Sequence, residues 1–120
     1  MRTALKELRI LIFLTVRPVI TVAETQIFIR PHEDVSLECV FEFHPRGLIW
    51  WERDSGEILS RNEKYSLADY IVNEFTVRSR IMIKNFEAED IGSYTCVGRN
   101  VFNKEGDREE GHIHVSFVKG

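Results

Sequence analysis

Regular alternation of apolar and polar residues marks three stretches of the chain. They are Val35–Phe43, Phe75–Lys84 and Gly111–Val118. Because successive side chains of a strand point to opposite faces, this period of two predicts half-buried β-strands. The predicted inward side chains are Leu37, Cys39, Phe41, Phe43, Phe75, Val77, Ser79, Ile81, Ile83, Ile113, Val115 and Phe117.

Further strands are predicted between these stretches. They are Thr25–Ile29, Gly47–Arg53, a short edge in Glu57–Ser60, Lys64–Tyr70 and Gly92–Asn100. Pro31 ends the first of them, because proline lacks the amide donor that a central strand needs. The composition of Asp54-Ser55-Gly56 predicts a turn. Every predicted element is a strand, so the chain is predicted to be all-β.

One sequence motif indicates how these strands are arranged. Residues 90–96 read D-x-G-x-Y-x-C, a tight turn followed by a strand that ends in Cys96. The other cysteine of the chain, Cys39, lies in an earlier predicted strand, and Trp50 follows it by about a dozen residues. A strand cysteine, a tryptophan and a tyrosine two residues before a second cysteine are typical of immunoglobulin sandwiches. The chain therefore resembles the immunoglobulin superfamily, and within it the I-set domains.

This resemblance implies a Greek-key β-sandwich with one inter-sheet disulfide, between Cys39 and Cys96. It also implies a framework role for four residues, Trp50, Asp90, Gly92 and Tyr94. Tyr94 is expected to bury its ring and donate its hydroxyl to a main-chain group upstream, and Gly92 to provide backbone freedom at the turn. Asp90 is expected to pair with Arg61 or Lys64.

The two adjacent tryptophans must face opposite sides of their strand. In the family pattern a core residue precedes the tryptophan by two positions, so Leu48 and Trp50 are predicted to face inward. Ile49 and Trp51 would then face outward, beside residues of the neighbouring strands. The resulting protein-binding face is predicted to contain Ile49, Trp51, Arg53, Thr95, Val97, Arg99, His112 and His114. Its apolar centre and arginine rim are features of protein-contact surfaces.

Length and composition predict a single domain. The chain has 120 residues, of which 43% are hydrophobic and 29% charged, with a formal net charge of −3. The immunoglobulin domain is predicted to span residues 18–120, with residues 1–17 as a signal peptide or a disordered N-terminal segment. No run approaches the roughly 18 apolar residues of a membrane span. We therefore expect neither a transmembrane segment nor an anchor signal in this chain.

The sequence gives no support to catalysis, so the chain is not predicted to be an enzyme. The four histidines are not accompanied by cysteine or carboxylate at metal-ligand spacing, and no glycine-rich phosphate loop or G-x-S-x-G is present. No metal, cofactor or small-molecule substrate is expected. The slightly acidic net charge gives no reason to expect nucleic acid.

The two cysteines are compatible with two cellular locations of the protein. A stable disulfide implies an oxidising compartment, hence a secreted or cell-surface protein. The alternative is a structural spacer of a muscle-type giant intracellular protein, in which both thiols are reduced and buried.

A narrower resemblance favours the first location. It rests on the segments Pro18–Val22, Leu37–Cys39, Trp50 with Ser55–Ile58, Lys64–Tyr65 and Gly92–Cys96. Together they are similar to the third immunoglobulin domain of neuronal adhesion proteins of the lachesin, IgLON and Dpr-interacting-protein group. This implies an extracellular adhesion or recognition module of neural tissue. Its partner would be another immunoglobulin-domain cell-surface protein or a second copy of itself.

Overall fold

In the part of the chain that the structure describes, eight strands and one short helical turn make up the fold. The computed structural model describes residues 18–43, 47–100 and 108–119. The strands are β1 (Val19–Thr21), β2 (Gln26–Ile29), β3 (Val35–Glu42), β4 (Leu48–Arg53), β5 (Tyr65–Asn73), β6 (Thr76–Ile83), β7 (Gly92–Arg99) and β8 (Arg108–Phe117). A 3-10 turn, Ala88–Asp90, precedes β7.

The strands form two four-stranded sheets. One sheet has the order β1-β3-β6-β5 and the other β2-β8-β7-β4. All neighbours are antiparallel except β2 and β8, which are parallel. The first two strands therefore contribute to different sheets. This arrangement confirms the predicted immunoglobulin-like β-sandwich.

The predicted disulfide joins the two sheets through the core. Cys39 in β3 is bonded to Cys96 in β7, 57 positions later, and both are fully buried. In the loop-entropy account, closing a loop of this length in the unfolded chain stabilises the fold by roughly 4 kcal/mol. The surrounding core contains the alternating inward residues of β3, β6 and β8, as the sequence predicts.

The turn before β7 has the predicted polar contacts. The Tyr94 hydroxyl donates to the main-chain carbonyl of Asp90 at 2.6 Å. Burial raises the pKa of Tyr94, so the hydroxyl remains a donor. Lys64, rather than Arg61, pairs with the buried Asp90 carboxylate at 2.6 Å. Gly92 has φ +150°, and a Cβ there would lie 2.8 Å from an Asp54 carboxylate oxygen, so the position favours glycine.

The assignment of Trp50 to the core is wrong. Trp51 is 2% exposed and its Nε1 donates to the Ser79 hydroxyl of the opposite sheet at 3.0 Å. The reason is the register of β4 with β7, which places Trp51 directly opposite Cys96. Residues directly opposite one another share a face of the sheet, so Trp51 faces inward with the disulfide and Trp50 faces outward.

Several element bounds differ from the expected ones. β8 begins at Arg108, before the predicted Gly111. The predicted edge at 57–60 is reduced to an isolated bridge between Ile58 and Glu52. Residues 1–17 lie outside the described ranges, so the predicted signal peptide or disordered segment stays a prediction, as do the domain limits.

The two tryptophans are expected to differ in their contribution to stability. Replacing Trp51 with alanine removes a buried side chain and leaves a cavity, so the free energy of unfolding should fall by roughly 3–5 kcal/mol. Trp50→Ala is the matched control, and its loss should be clearly smaller because that side chain is partly exposed. Urea unfolding of both variants measures the difference. A larger loss for Trp50→Ala would contradict the observed orientation.

Candidate protein-binding face

The outward side of β4, β7 and β8 forms a continuous surface, named here the Trp50 face. Its residues are Leu48, Trp50, Glu52, Ser93, Thr95, Val97, Arg99, Arg108, Glu110, His112, His114 and Ser116. The strand registers arrange them in rows across the sheet. Trp50, Val97 and Glu110 form one row, and Glu52, Thr95 and His112 form the next.

An arginine lies over the indole ring at the centre of this face. The guanidinium carbon of Arg108 is 5.7 Å from the centroid of the Trp50 ring, within the range of a cation–π contact. Arg108 also donates to both carboxylate oxygens of Glu52, at 2.9 and 3.2 Å. Its Nε donates to Glu110 at 2.6 Å. These contacts hold the guanidinium in one orientation across β4 and β8.

Glu52 connects the arginine to the tryptophan. Trp50 Nε1 donates to the same carboxylate at 2.6 Å. The Glu52 side chain is 13% exposed, whereas Arg108 is 40% exposed. Hydrogen bonds from Arg108, and then from Trp50, lower the pKa of Glu52. The hydrogen bond to Glu52 is the largest cause of the raised pKa of Arg108. The pair therefore stays charged at neutral pH.

The two histidines of β8 lie on this face and interact with their neighbours. Nδ1 of His112 is 3.1 Å from the Thr95 hydroxyl, and its Nε2 is 3.3 Å from Glu110. Nδ1 of His114 is 3.4 Å from the Ser93 hydroxyl. Within the described ranges, no group of three or more potential ligands is arranged to hold a metal ion.

The structure places only some residues of the predicted binding face on one side of the sheet, and their role in binding stays a prediction. Five of its residues do face outward: Thr95, Val97, Arg99, His112 and His114. Ile49, Trp51 and Arg53 face the other way, because Trp51 is opposite Cys96. Ile49 packs against the core, and the Arg53 guanidinium lies 4.7 Å from the Tyr94 ring centroid. Val97 is fully buried, so the expected apolar centre does not form.

Sequence reasoning missed the residues that occupy the centre instead. They are Leu48, Trp50, Glu52, Arg108 and Glu110. No alternation in the sequence indicates Arg108 and Glu110, because residues 108–110 are all charged. The run 48–51 is entirely apolar, so alternation alone does not distinguish the two tryptophans.

A scan of protein families matches the immunoglobulin domain over residues 17–100. The chain belongs to the immunoglobulin domain family. The matched range covers most of the strands described above, including both cysteines of the disulfide.

Curated relatives of this immunoglobulin domain include lachesin and a cell adhesion molecule. The chain is similar to lachesin of Drosophila melanogaster, with 35% identity over 102 residues, 84% of this chain and 25% of lachesin. It is also similar to the cell adhesion molecule Dscam1 of the same species, with 31% identity over 83 residues, 69% of this chain and 4% of Dscam1. The chain therefore spans a quarter or less of the length of these relatives.

Solved structures agree with the fold. The immunoglobulin domain matches a chain of the complex between Dpr2 Ig1-Ig2 and DIP-Theta Ig1-Ig3, with a TM-score of 0.77, 19% identity, and coverage of 86% of this chain and 33% of that one. It also matches titin A168–A169, with a TM-score of 0.68, 16% identity, and coverage of 85% and 48%. At these identities the matches show the fold alone. No helix in the described ranges is long and apolar enough to cross a membrane.

The environment of Trp50 is expected to depend on the protonation of Glu52. Since the pKa of Glu52 is lowered in the folded domain, its ion pair with Arg108 is intact at neutral pH. The stability that it contributes is lost as the pH falls through the folded-state pKa, below the ordinary value of 4.5. The indole Nε1 resonance of Trp50, followed by NMR, should therefore shift with a midpoint below 4.5.

Glu52→Gln is the control for this titration, because it has no ionisable group and should abolish the transition. A midpoint above 4.5, or an unchanged transition in the variant, would contradict the assigned contacts.

Proposed function

We propose that this immunoglobulin domain is a non-catalytic extracellular module for cell adhesion or cell-surface recognition in neural tissue, and that it binds a protein partner through the Trp50 face. The similarity to lachesin and Dscam1 supports the adhesive role. The Cys39–Cys96 disulfide supports an oxidising location. The partner is expected to be another immunoglobulin-domain cell-surface protein or a second copy of this chain.

The arrangement of Trp50 and Arg108 carries this proposal. Tryptophan and arginine are over-represented among the residues that dominate the energy of protein interfaces. Here the guanidinium is held over the indole by Glu52 and Glu110 before any partner arrives. A side chain that is already ordered loses less conformational entropy on binding. The partly exposed indole and the exposed edge of Arg108 therefore form a contact site that is already ordered before a partner binds.

The charges of the face indicate what a partner must provide. Arg108 is partly neutralised by Glu52 and Glu110, whereas His112 and His114 add donors or acceptors along β8. A surface of this mixed kind is expected to bind through hydrogen bonds around an aromatic centre, with a partner that carries both carboxylates and donors. We propose no reaction at this face.

Removal of the central indole should weaken binding without unfolding the domain. A panel of immunoglobulin-domain ectodomains, including this chain itself, identifies a partner, and surface plasmon resonance measures its affinity. Trp50→Ala and Arg108→Ala should each raise the Kd by tenfold or more, the range of interface hot spots. Val19→Ala, an exposed apolar position in the other sheet, is the matched control. An unchanged Kd for Trp50→Ala with an intact fold would contradict the proposal.

The redox state of the cysteines separates the extracellular role from an intracellular spacer. Protein isolated from its natural source, unfolded with a thiol-trapping reagent present, should contain no reactive thiol because Cys39 and Cys96 are bonded. Mass spectrometry counts the trapped groups. Labelling of both cysteines would favour the spacer of a muscle-type giant protein and contradict the extracellular location.

A further inference from the structure

The outer edge of β5 carries unpaired main-chain groups and exposed apolar side chains. β5 lies at the end of its sheet, so only β6 pairs with it. Three consecutive residues near its end are exposed: Tyr70 at 49%, Ile71 at 65% and Val72 at 52%. An edge strand presents a row of unpaired main-chain groups, which is a template for pairing with another strand. The strands of the Trp50 face belong to the other sheet, so that face does not include the edge of β5.

The hydrogen-bond pattern identifies which groups of the edge are free. The Lys84 amide donates to the Lys64 carbonyl at 2.9 Å, so this pair is a bonded pair of the ladder. Bonded and non-bonded pairs alternate along antiparallel strands. Tyr65, Leu67, Asp69 and Ile71 therefore direct their main-chain groups away from β6.

The first half of this edge is already occupied. The Tyr65 carbonyl accepts from the Asn62 amide at 3.0 Å, and the Leu67 carbonyl accepts from Arg61. In the described part of the chain, no hydrogen bond from another segment reaches the main chain of Asp69 or Ile71. The free section therefore begins at Asp69, and a bulge between Ile71 and Asn73 ends it.

We propose that this section pairs with the same section of a second copy of the chain, antiparallel and about a two-fold axis at Tyr70. Asp69 then lies opposite Ile71 of the second copy, and each such pair exchanges both hydrogen bonds of an antiparallel ladder. Tyr70 lies opposite Tyr70 of the second copy, in a non-bonded pair whose side chains are close. Two-fold pairing uses the same edge on both chains, so it closes at a dimer.

Electrostatics and backbone geometry exclude the neighbouring registers. An axis at Asp69 would place two carboxylates directly opposite one another, which is destabilising. An axis at Ile71 would require Val72 and Asn73 to continue the ladder, but the bulge disrupts it there. The register at Tyr70 is thus the one that neither places two carboxylates opposite one another nor requires the bulge to pair.

A groove beside the edge accepts the side chain that the second copy brings. It has a volume of about 270 Å³ and is lined by Gly47, Leu48, Ile49, Asp69, Ile71 and Val77. Ile71 of the second copy lies on this inner side, opposite Asp69. The Asp69 carboxylate already accepts a hydrogen bond from the Ser79 hydroxyl at 2.6 Å, and it keeps this hydrogen bond when the second copy pairs. An apolar side chain in the groove also covers the exposed Leu48.

Cross-linking tests the register. Under mild oxidation Tyr70→Cys should form a disulfide-linked dimer, because opposite residues of a non-bonded pair have Cα atoms about 4.5 Å apart. Val72→Cys is the matched control, an exposed apolar position two residues further along β5. In the proposed register its two copies are about 13 Å apart, too far for a disulfide. Equal cross-linking of both variants on a non-reducing gel would overturn the register.

Sedimentation of the full chain tests the dimer without added cysteines. The unmodified chain should show a concentration-dependent dimer. Ile71→Pro should weaken association at least tenfold, because it removes both the edge amide and the side chain that enters the groove, and it should keep the monomer fold, since the lost amide points away from β6. A chain that stays monomeric at its highest soluble concentration would overturn the proposal. A dimer lost with Trp50→Ala but kept with Ile71→Pro would also overturn it, and would assign association to the Trp50 face.

Discussion

The register between β4 and β7 determines which residues of this domain are available for function. Cys96 must face the core because it is bonded to Cys39 of the other sheet. Trp51 lies directly opposite Cys96, so it is also inside, and the strand alternation places Trp50 and Glu52 outside. A shift of one residue would exchange the two tryptophans and reverse every side chain of β4. The disulfide thus determines indirectly which indole reaches the surface.

The same register connects the core to the edge of the other sheet. Trp51 donates to the Ser79 hydroxyl, and Ser79 donates to the Asp69 carboxylate of β5. Buried polar groups need such partners, since an unmatched one costs about 1–3 kcal/mol. The Asp69 carboxylate accepts from Ser79 on the inner side of β5, whereas Tyr70, Ile71 and Val72 remain exposed at this edge.

The sequence predicts the architecture because several independent signals agree. Period-two alternation indicated β3, β6 and much of β8, and the motif at 90–96 indicated the disulfide, the Tyr94 hydrogen bond and the ion pair of Asp90. These features depend on residue type and spacing within one or two segments. Local patterns of that kind are readable without knowledge of how the strands pair.

The candidate face depends on pairing, which is why it was only partly predictable. The apolar run at 48–51 contains no alternation. Trp50 and Trp51 both follow Cys39 by about a dozen residues, so the sequence separation of the immunoglobulin pattern fits either of them. The family pattern favoured the wrong one. Arg108 precedes the last strand that the sequence predicts, Gly111–Val118, so the sequence does not predict its position beside Trp50 and Glu52. Contacts between β4 and β8 follow from the three-dimensional register and not from the order of residues along either strand.

The orientation of the two indole rings is the central claim, and NMR measures it directly. Nuclear Overhauser effects from the ring protons of each tryptophan report which side chains lie within a few ångströms. We predict contacts from the Trp51 ring to Ser79 and from the Trp50 ring to the side chain of Arg108. Contacts from the Trp50 ring to Ser79, with Trp51 beside Arg108, would contradict the account.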